Sequence, residues 1–282
     1  MSDSILVTVA GAEQLTPNLR RVVLTGPALA AWESTGRPDE FLHVHIPDPD
    51  PAPGWEDDHD IARHYTVRRW EPSGPDGPSI VLDIVTHGHG RGATWARTAR
   101  VGDAVALSEV HGYYAPPAGS THRLLIADAT GLPAVARILE EATPDESFEV
   151  IVELISLEDR IALPSPAAVT VEWRVSGNGR GPSALLGRME RMRVPDGDTY
   201  VWLACESAHS RKARAFVRAA WPRHHTLYRI VGYWHLDAEE LMRRWNALTE
   251  AQRARYLEIW DESRPDEENW TELEPYLQEL GL

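Results

Sequence analysis

The sequence has little of several features that particular functions need. It contains a single cysteine, Cys205, so one chain can form neither an internal disulfide nor a cysteine-ligated zinc or iron–sulfur site. No apolar run approaches the length of a membrane span, and the first residues lack the basic flank and apolar core of a secretory signal. We therefore predict a cytoplasmic protein without membrane insertion.

Positive charge is also scarce. Lys and Arg total 28 against 43 Asp and Glu, which gives a formal net charge of -15. Because nucleic-acid binding needs a basic face, we predict no nucleic-acid partner. The acidic excess is concentrated at the end of the chain, where residues 237–282 contain 13 acidic and five basic side chains. An anionic ligand could therefore still bind elsewhere.

The length of 282 residues and 43% hydrophobic content are typical of two packed globular domains. Over about the first 115 residues, short alternating runs are separated by Pro and Gly clusters: LVTVA, LRRVVLTG, EFLHVHI, ARHYTVRRW, SIVLDIVTH and DAVALSEV. This regular spacing predicts an antiparallel β-barrel. The Pro- and Asp-rich segment at residues 48–60 predicts a surface loop.

The pattern then changes to strands alternating with helices, which predicts an open, mostly parallel α/β sheet. The predicted strands are RLLIADA, FEVIVELIS, VTVEWRV, TYVWLAC and TLYRIVGYW, and the predicted helices are LPAVARILEE, PSALLGRMERM and SAHSRKARAFVRAAW. From Asp237 onward an acidic, amphipathic helical tail is predicted, with Leu241, Trp245 and Leu248 on one face and Tyr256 and Trp260 on another. The predicted domains are residues 1–118, 119–236 and 237–282.

The stretch ARHYTVRRW, residues 62–70, carries the most chemical information. On a strand, Arg63 and Tyr65 share one face while His64, Thr66 and Arg68 share the other. An aromatic ring can stack on a flat isoalloxazine, a basic residue can hold a pyrophosphate, and a threonine can bond the polar edge of a flavin. The alternative is a half-exposed barrel strand with solvated arginines.

The spacing Arg63-x-Tyr65-Thr66-x-Arg68 resembles the flavin motif of the siderophore-interacting protein family. DIVTHGHGRGATWARTARVGD, ADATGLPAVARILE, VWLACESAHSRKARAFV and IVGYW resemble further family motifs in the same order, so the resemblance covers roughly residues 1–234. It implies a ferredoxin-reductase layout, with FAD on the barrel and a nucleotide on the sheet. The implied function is FAD-dependent transfer of electrons from NADH or NADPH to a ferric siderophore, with release of Fe(II).

The resemblance also implies a set of cofactor contacts. Small residues and a helix start near Thr94 suit a pyrophosphate loop, because the backbone can approach closely and offers N–H groups. The implied contacts are Arg63, Tyr65, Thr66 and Arg68 for the flavin motif; His87, Gly88, Ala93, Thr94, Trp95 and Ala96 for the pyrophosphate loop; Asp128, Thr130 and Ala134 for the adenosine part; Glu206 and Ser207 for the nicotinamide or ribose; and Gly232, Tyr233 and Trp234 for the flavin and substrate pocket.

Structural roles compete with several of these assignments. Asp128, Thr130 and Glu206 are also suited to capping helices, and an aromatic pair such as Tyr233 and Trp234 at a domain junction is suited to packing. Cys205 stands where the family has glycine, and its apolar strand beside an acid predicts a buried, inert thiol. We predict no catalytic acid or base, since electron transfer through a flavin requires none.

Other basic and histidine residues are candidate ligand sites. His235 stands where the family has a basic residue, and Arg180, Arg211 and Lys212 are the candidates for anchoring a siderophore. His43 and His45 share a strand face, with His59 and His64 near in sequence, yet the spacing matches no metal-ligand pattern, so no metal is predicted. A general flavin or ferric reductase, and a non-catalytic carrier with a partner-docking tail, remain as alternatives. A ferredoxin remains open as the electron donor.

Overall fold

The structure is a computed structural model, described here over residues 4–46, 62–86, 88, 90–221, 224–261 and 263–282. The predicted loop at 48–60 and the residues His59 and His87 lie outside the described residues. Six antiparallel strands form a closed barrel in the order β1-β2-β5-β4-β3-β6, which confirms the predicted barrel. The strands are β1 (Ile5–Thr16), β2 (Leu19–Thr25), β3 (Phe41–His45), β4 (Ala62–Gly74), β5 (Gly77–Val85) and β6 (Ala104–His111).

Strand alternation fills the barrel. On β3, Leu42 and Val44 are fully buried in the barrel core, whereas the alternating residues Phe41 and His43 lie on the outer face. After β5, helix α1 (Arg91–Thr98) packs against the barrel through Trp95 and Ala96.

Strand β4 has a different partner along each part of its length. From Val67 onward it pairs with β5, whereas the part at residues 62–66 pairs with β3 on the opposite side. The edge of β4 at residues 62–66 is therefore left open toward α1, and the predicted flavin motif lies at this opening.

Five parallel strands form the second sheet in the order β11-β10-β7-β8-β9, which confirms the predicted α/β sheet. Its elements are β7 (His122–Asp128), α2 (Leu132–Glu140), β8 (Ser147–Leu154), β9 (Ala168–Val175), α3 (Leu185–Met189), β10 (Tyr200–Glu206), α4 (Ser207–Ala220) and β11 (Tyr228–Trp234). Helix α3 is shorter than the predicted PSALLGRMERM helix. The chain order reverses between β7 and β10, and ligands of open α/β sheets bind at the carboxyl ends of the strands beside such a reversal.

Buried polar contacts join the barrel to the sheet. On α2, Arg137 donates from Nη1 to the carbonyl oxygen of Val67 in the barrel at 2.8 Å. Asp39 is fully buried and accepts hydrogen bonds from the Tyr113 backbone N–H at 2.9 Å and from Trp202 Nε1 at 3.2 Å. Because the Arg137 guanidinium and the Asp39 carboxylate are buried away from water, each depends on its hydrogen-bond partners across the interface.

The tail consists of three helices, α5 (Ala238–Asn246), α6 (Glu250–Ile259) and α7 (Asp266–Leu280), which confirms that it is helical. Leu248 and Trp260 lie just beyond α5 and α6, so the predicted apolar faces are divided by turns. None of the helices in the described ranges is long and apolar enough to span a membrane.

A buried ionic cluster anchors this tail to the sheet. Arg214 on α4 donates from Nε to Glu267 of α7 at 2.8 Å, and it also contacts Glu274 and the Ile230 carbonyl oxygen. Its guanidinium lies 5.2 Å from the centre of the Trp270 ring. Glu267 accepts the backbone N–H of Ile230 at 3.0 Å. The tail therefore covers β11, the edge strand of the sheet.

Candidate functional site

The opening beside β4 is shaped by an aromatic ring and a glycine. A Cβ added to Gly92 would lie 2.2 Å from the Tyr65 hydroxyl oxygen, so only glycine allows α1 to begin this close to the ring. The Tyr65 and Trp95 ring centroids are 6.4 Å apart. Burial raises the pKa of Tyr65, so its hydroxyl stays protonated and can donate a hydrogen bond. We call the opening formed by residues 63–66 and 90–94 the cradle.

Polar groups surround this cradle. The first backbone N–H groups of a helix have no intrahelical partner, so the start of α1 at Arg91 is suited to an anion. Gly88 adopts a left-handed conformation with φ of 81°, which glycine permits without strain. Arg97 holds the loop by donating from Nη1 to the carbonyl oxygens of Thr86 at 2.6 Å and Gly88 at 3.0 Å.

The members of the predicted pyrophosphate loop divide into two groups. Trp95 is 9% exposed and Ala96 is fully buried, so both support α1 from the barrel core. Ala93 is half-buried and Thr94 is exposed at the cradle. The Thr94 hydroxyl accepts a hydrogen bond from Arg97 Nη2 at 3.0 Å, and the Thr94 backbone N–H donates to the Gly90 carbonyl oxygen at 3.0 Å.

A buried hydroxyl from the sheet reaches the cradle at Thr66. The Tyr233 hydroxyl is buried and makes no hydrogen bond within the described part of the chain. Thr66 is itself 6% exposed. Burial, followed by the nearby Asp39, raises the pKa of Tyr233, and a contact with the Thr66 side chain, which does not reach ordinary hydrogen-bond geometry, opposes that rise. Buried polar groups are rarely left without a partner, so an additional polar ligand beside Thr66 would satisfy this hydroxyl.

Arg68 is directed away from the cradle. It donates from Nη1 to Glu140 Oε2 at 2.7 Å, and its Nε lies 3.7 Å from Asp83. Both partners are carboxylates of other elements, α2 and β5. The structure therefore places Arg68 at the junction of the barrel and α2, whereas the resemblance implied a flavin contact.

Asp128 is the centre of a hydrogen-bond network at the carboxyl end of the sheet. One oxygen accepts from the Thr130 N–H at 2.9 Å and the Thr130 hydroxyl at 2.6 Å. The other accepts from the Glu206 N–H at 3.0 Å and from Trp234 Nε1 at 2.7 Å. Burial raises the pKa of Asp128, while these bonds oppose that rise. The network favours the structural role of Asp128 and Thr130, and the fully buried Ala134 packs in the sheet core.

Glu206 and Ser207 begin α4 at the same edge. Glu206 accepts from the His209 backbone N–H at 3.1 Å, which is the capping role. The Ser207 hydroxyl donates to the Trp234 carbonyl oxygen at 3.0 Å. A Cβ on Gly232 would lie 2.4 Å from the Ser207 hydroxyl oxygen, so glycine is required where β11 approaches α4.

A cavity of about 510 Å³ opens at this edge. Its inner wall comes from the ends of the sheet strands, and its outer wall comes from the tail. Ionisable lining residues include Glu206, His209, Arg211 and His235 from the sheet side, and Glu240 and Arg244 from the tail. Burial lowers the pKa of His235.

The remaining candidates lie in different places. Lys212 is exposed on α4, and Arg180 is exposed with its Nη2 3.4 Å from Asn18 Oδ1 in the barrel. Cys205 is 2% exposed, and burial followed by the nearby Asp128 and Glu206 raises its thiol pKa, which confirms the predicted buried thiol. Among the described residues, no group of three or more His, Cys, Asp or Glu side chains is arranged to hold a metal ion.

Comparison with known sequence families gives one match in the barrel and one in the sheet. A profile described as the siderophore-interacting FAD-binding domain matches residues 8–113, and one described as siderophore-interacting protein matches residues 120–237. The two matches together span most of the chain. The chain belongs to the siderophore-interacting protein family. Its barrel is thus an FAD-binding domain, and FAD is its flavin cofactor.

Individual relatives in this family share both domains. A solved siderophore utilization protein from T. fusca has 28% identity and a TM-score of 0.70, covering 83% of this chain and 93% of that one. SipS from Aeromonas hydrophila has 23% identity and a TM-score of 0.72, covering 87% and 98%, and supports the fold. The NADPH-dependent ferric-chelate reductase of Escherichia coli is 24% identical over 248 residues, which are 81% of this chain and 92% of that protein.

The cradle fits FAD on its own geometry. Gly92 keeps the start of α1 against the Tyr65 ring, and the Tyr233 hydroxyl lacks a partner beside Thr66. Arg63 lies on the same strand, near enough to Gly92 for its Cγ to be 3.5 Å from a Cβ added there. An aromatic face, a basic side chain, helix N–H groups and an unsatisfied hydroxyl are the groups that a flavin with a pyrophosphate needs.

Sequence reasoning missed residues that complete the site. Glu240, Leu241 and Arg244 line the cavity from the tail, although the tail lies outside the matched motifs. Arg97 fixes the loop before α1, and its only sequence signal was its place within the second motif. Asp39 has no motif at all, and its role depends on partners 74 and 163 residues away.

Proposed function

We propose that this protein is an FAD-dependent reductase that passes electrons from NADH or NADPH to a ferric siderophore and releases Fe(II). The observation that carries the proposal is the position of two consecutive residues at the end of β11. Tyr233 reaches Thr66 in the cradle, while Trp234 lines the cavity and binds Asp128. A flavin in the cradle and a nucleotide in the cavity would therefore meet across a single residue pair.

The residues of the chain would bind and orient the reactants. FAD, when bound, accepts a hydride from a nicotinamide and passes electrons on singly, which a one-electron acceptor such as Fe(III) requires. Tyr65 would support the flavin ring, Arg63 and the α1 N–H groups would hold the phosphates, and the Thr66 and Tyr233 hydroxyls would bond the polar edge of the ring. No acid or base from the protein is needed in this scheme.

The reaction product explains why reduction releases iron. Fe(III) is a hard, highly charged cation held by oxygen ligands, whereas Fe(II) is softer and carries less charge. An oxygen chelator therefore holds Fe(II) much more weakly. The relative named as an NADPH-dependent ferric-chelate reductase supports this reaction and this donor. Siderophore anchoring by Arg180, Arg211 or Lys212 is proposed as well.

The test is anaerobic spectroscopy of the purified protein. We expect a flavin spectrum that bleaches with NADH or NADPH and recovers when a ferric siderophore is added, with one ferrous ion trapped per electron. A flavin that never bleaches with either nucleotide would contradict the nucleotide-dependent reductase, and reduction by a ferredoxin would then identify another donor. Recovery as fast with free flavin or oxygen as with the ferric siderophore would instead indicate a general reductase.

A further inference from the structure

A fully buried carboxylate lies where the barrel meets the sheet. Asp39 Oδ1 accepts the Tyr113 backbone N–H at 2.9 Å, and its Oδ2 accepts the Trp202 Nε1–H at 3.2 Å. Burial raises the pKa of Asp39, while these hydrogen bonds and one from the Tyr114 backbone oppose that rise. Within the described ranges Asp39 makes only hydrogen bonds that its carboxyl accepts. This set of donors fits the ionised carboxylate, which is an acceptor only.

No arginine neutralises the Asp39 charge at close range. Buried Asp83, by comparison, lies 2.8 Å from the Arg21 guanidinium. Asp39 forms no ion pair within the part of the chain that the structure describes, and Arg37 acts on its pKa less than burial and the hydrogen bonds do. A buried charge without a counter-ion acts over a longer distance than a surface charge, because little water screens it.

Asp39 is connected to the cradle in two ways. Along the chain it precedes by two residues Phe41, which is opposite Thr66 in the strand register. Through side chains it holds Trp202, whose ring packs edge-on against Tyr233 with centroids 6.0 Å apart. After burial, Asp39 is the group that raises the pKa of Tyr233 most, so its charge acts at this hydroxyl. The carboxylate therefore lies behind the hydroxyl groups that we assign to the polar edge of the flavin.

A negative charge at this position opposes reduction of a flavin in the cradle. Electrons delivered to the flavin bring negative charge, and a nearby carboxylate raises the free energy of the reduced form relative to the oxidised form. The reduction potential falls, and the bound flavin becomes a stronger reductant. We propose that Asp39 acts from behind Trp202 and Tyr233 to lower the reduction potential of the bound FAD.

This inference rests on the proposed function and deepens it, because the proposed electron acceptor is hard to reduce. Oxygen chelators hold Fe(III) far more tightly than Fe(II), so chelation lowers the potential of the iron couple. A flavin of low potential is needed to pass electrons to such a chelate. Asp39 would supply this property as a positioning residue, outside the set of residues that we assign to the flavin itself.

The experiment compares how tightly oxidised and reduced FAD bind, without nucleotide or siderophore. Anaerobic titration of the FAD-loaded protein with dithionite and an indicator dye gives the reduction potential, which reports the ratio of the two dissociation constants relative to free FAD. For Asp39→Asn we expect this ratio to change about tenfold in favour of reduced FAD, which raises the potential by about 30 mV for a two-electron couple.

A second variant covers the case in which Asp39→Asn is unstable. Asparagine can accept only one of the two hydrogen bonds and would set its amide N–H against Trp202 Nε1. Asp39→Asn combined with Trp202→Phe removes this conflict and should show the same change in the ratio. Trp202→Phe alone breaks the hydrogen bond but keeps the charge, so its ratio should stay within about twofold of the wild type. An equal change in Trp202→Phe and Asp39→Asn would overturn the role of the charge.

Asp159→Asn is the matched control. Asp159 is 3% exposed, also joins the barrel to the sheet, and makes no ion pair within the described residues. It accepts hydrogen bonds from Thr16 Oγ1 at 2.8 Å and from the Asn18 N–H at 2.9 Å, at the turn between β1 and β2. Its loss should leave the ratio unchanged. An unchanged ratio in both Asp39 variants, or an equal change in Asp159→Asn, would overturn the proposal.

The two proposals fail in different ways, because the potential is measured with a chemical reductant. A protein whose flavin bleaches with NADH or NADPH, but whose potential does not depend on Asp39, would keep the proposed function and lose this inference. A protein whose potential rises in Asp39→Asn, but whose flavin never bleaches with either nucleotide, would lose the nucleotide-dependent reductase and keep the role of Asp39.

Discussion

The cradle and the cavity differ in how they are built. The cradle comes from two stretches of the barrel domain, residues 63–66 and 90–94, and its shape depends on a glycine, two aromatic rings and a helix start. The cavity combines the ends of β7, β10 and β11 with a tail that follows much later in the chain. Several side chains that line the cavity are ionisable. The position of its outer wall depends on the contact between Arg214 and Glu267, which holds the tail to the sheet.

Because the two sites are built from different elements, we expect a substitution in one site to leave the other intact. A change to the tail should alter the cavity while leaving FAD in the cradle, because α5 to α7 lie against the sheet. A change at the start of α1 should release FAD while leaving the tail in place. Variants that act on one site alone would support this separation, and variants that act on both would break it.

The largest expected effect concerns the anchor of the tail. Arg214 is 2% exposed and Glu267 is 3% exposed, so Arg214→Ala leaves a buried carboxylate without its partner. We expect a loss of about 3–5 kcal/mol in the free energy of unfolding, measured by urea denaturation. FAD bound per folded chain should stay unchanged.

Lys212→Ala on the same helix is the control, because Lys212 is exposed and should change stability by no more than about 0.5 kcal/mol. A loss for Arg214→Ala no greater than that of the control would contradict the anchor.

The next effect is at the cradle. Gly92→Ala would place a methyl group 2.2 Å from the Tyr65 hydroxyl oxygen, and the buried ring has little room to move. We expect the dissociation constant for FAD to rise at least about tenfold, which corresponds to about 1.4 kcal/mol. The measurement is flavin fluorescence during titration of the apoprotein.

Gly11→Ala provides the matched substitution, since a Cβ there meets Val23 at an ordinary 3.9 Å in the same barrel. It should bind FAD as the wild type does. Unchanged FAD affinity in Gly92→Ala would show that Tyr65 does not define the cradle.

A third prediction concerns the junction of the barrel and α2. Hydrogen bonding to Arg68 lowers the pKa of Glu140 from its ordinary 4.5, so the ion pair stabilises the fold above that pH and loses its effect as pH falls through the lower, folded-state pKa. Glu140→Gln should cost about 1 kcal/mol at pH 7, and the difference from the wild type should shrink at pH values below about 4.5. Unfolding by urea at several pH values measures it.

Glu149→Gln serves for comparison, because Glu149 is exposed and its nearest ion pair is 4.0 Å long. A pH-independent cost for Glu140→Gln would mean that shape, rather than charge, explains the contact.

The parts of the fold that sequence predicted are those set by local pattern. Alternating runs gave the barrel strands, and strands alternating with helices gave the sheet, because both patterns depend on neighbours two to four residues apart. Tyr65, Thr66 and the small residues of α1 could be proposed for the same reason. They lie within one stretch and their spacing is preserved by the strand and the helix start.

The contacts that the sequence did not predict arise where distant segments meet. Arg68 matched the motif, yet Glu140, 72 residues away, is what its guanidinium binds. The contacts of the Phe41 ring with His64 and His111 could not be predicted, since they require β3 to lie between β4 and β6 in the barrel. The tail side of the cavity was missed because Arg214 and Glu267 are 53 residues apart in sequence.

The smallest expected effect is at the residue that joins the two sites. Because the Tyr233 hydroxyl is buried without a hydrogen bond in the described structure, Tyr233→Phe should change the free energy of unfolding of the apoprotein by less than about 0.5 kcal/mol. If FAD supplies the missing partner, the same variant should bind FAD about threefold more weakly. Tyr200→Phe is the reverse control: its hydroxyl already accepts the Ala115 N–H at 3.2 Å, so it should lose stability without losing FAD affinity. If the two variants changed stability and FAD affinity equally, Tyr233 would not contact the flavin. The cradle would then have no direct link to the cavity.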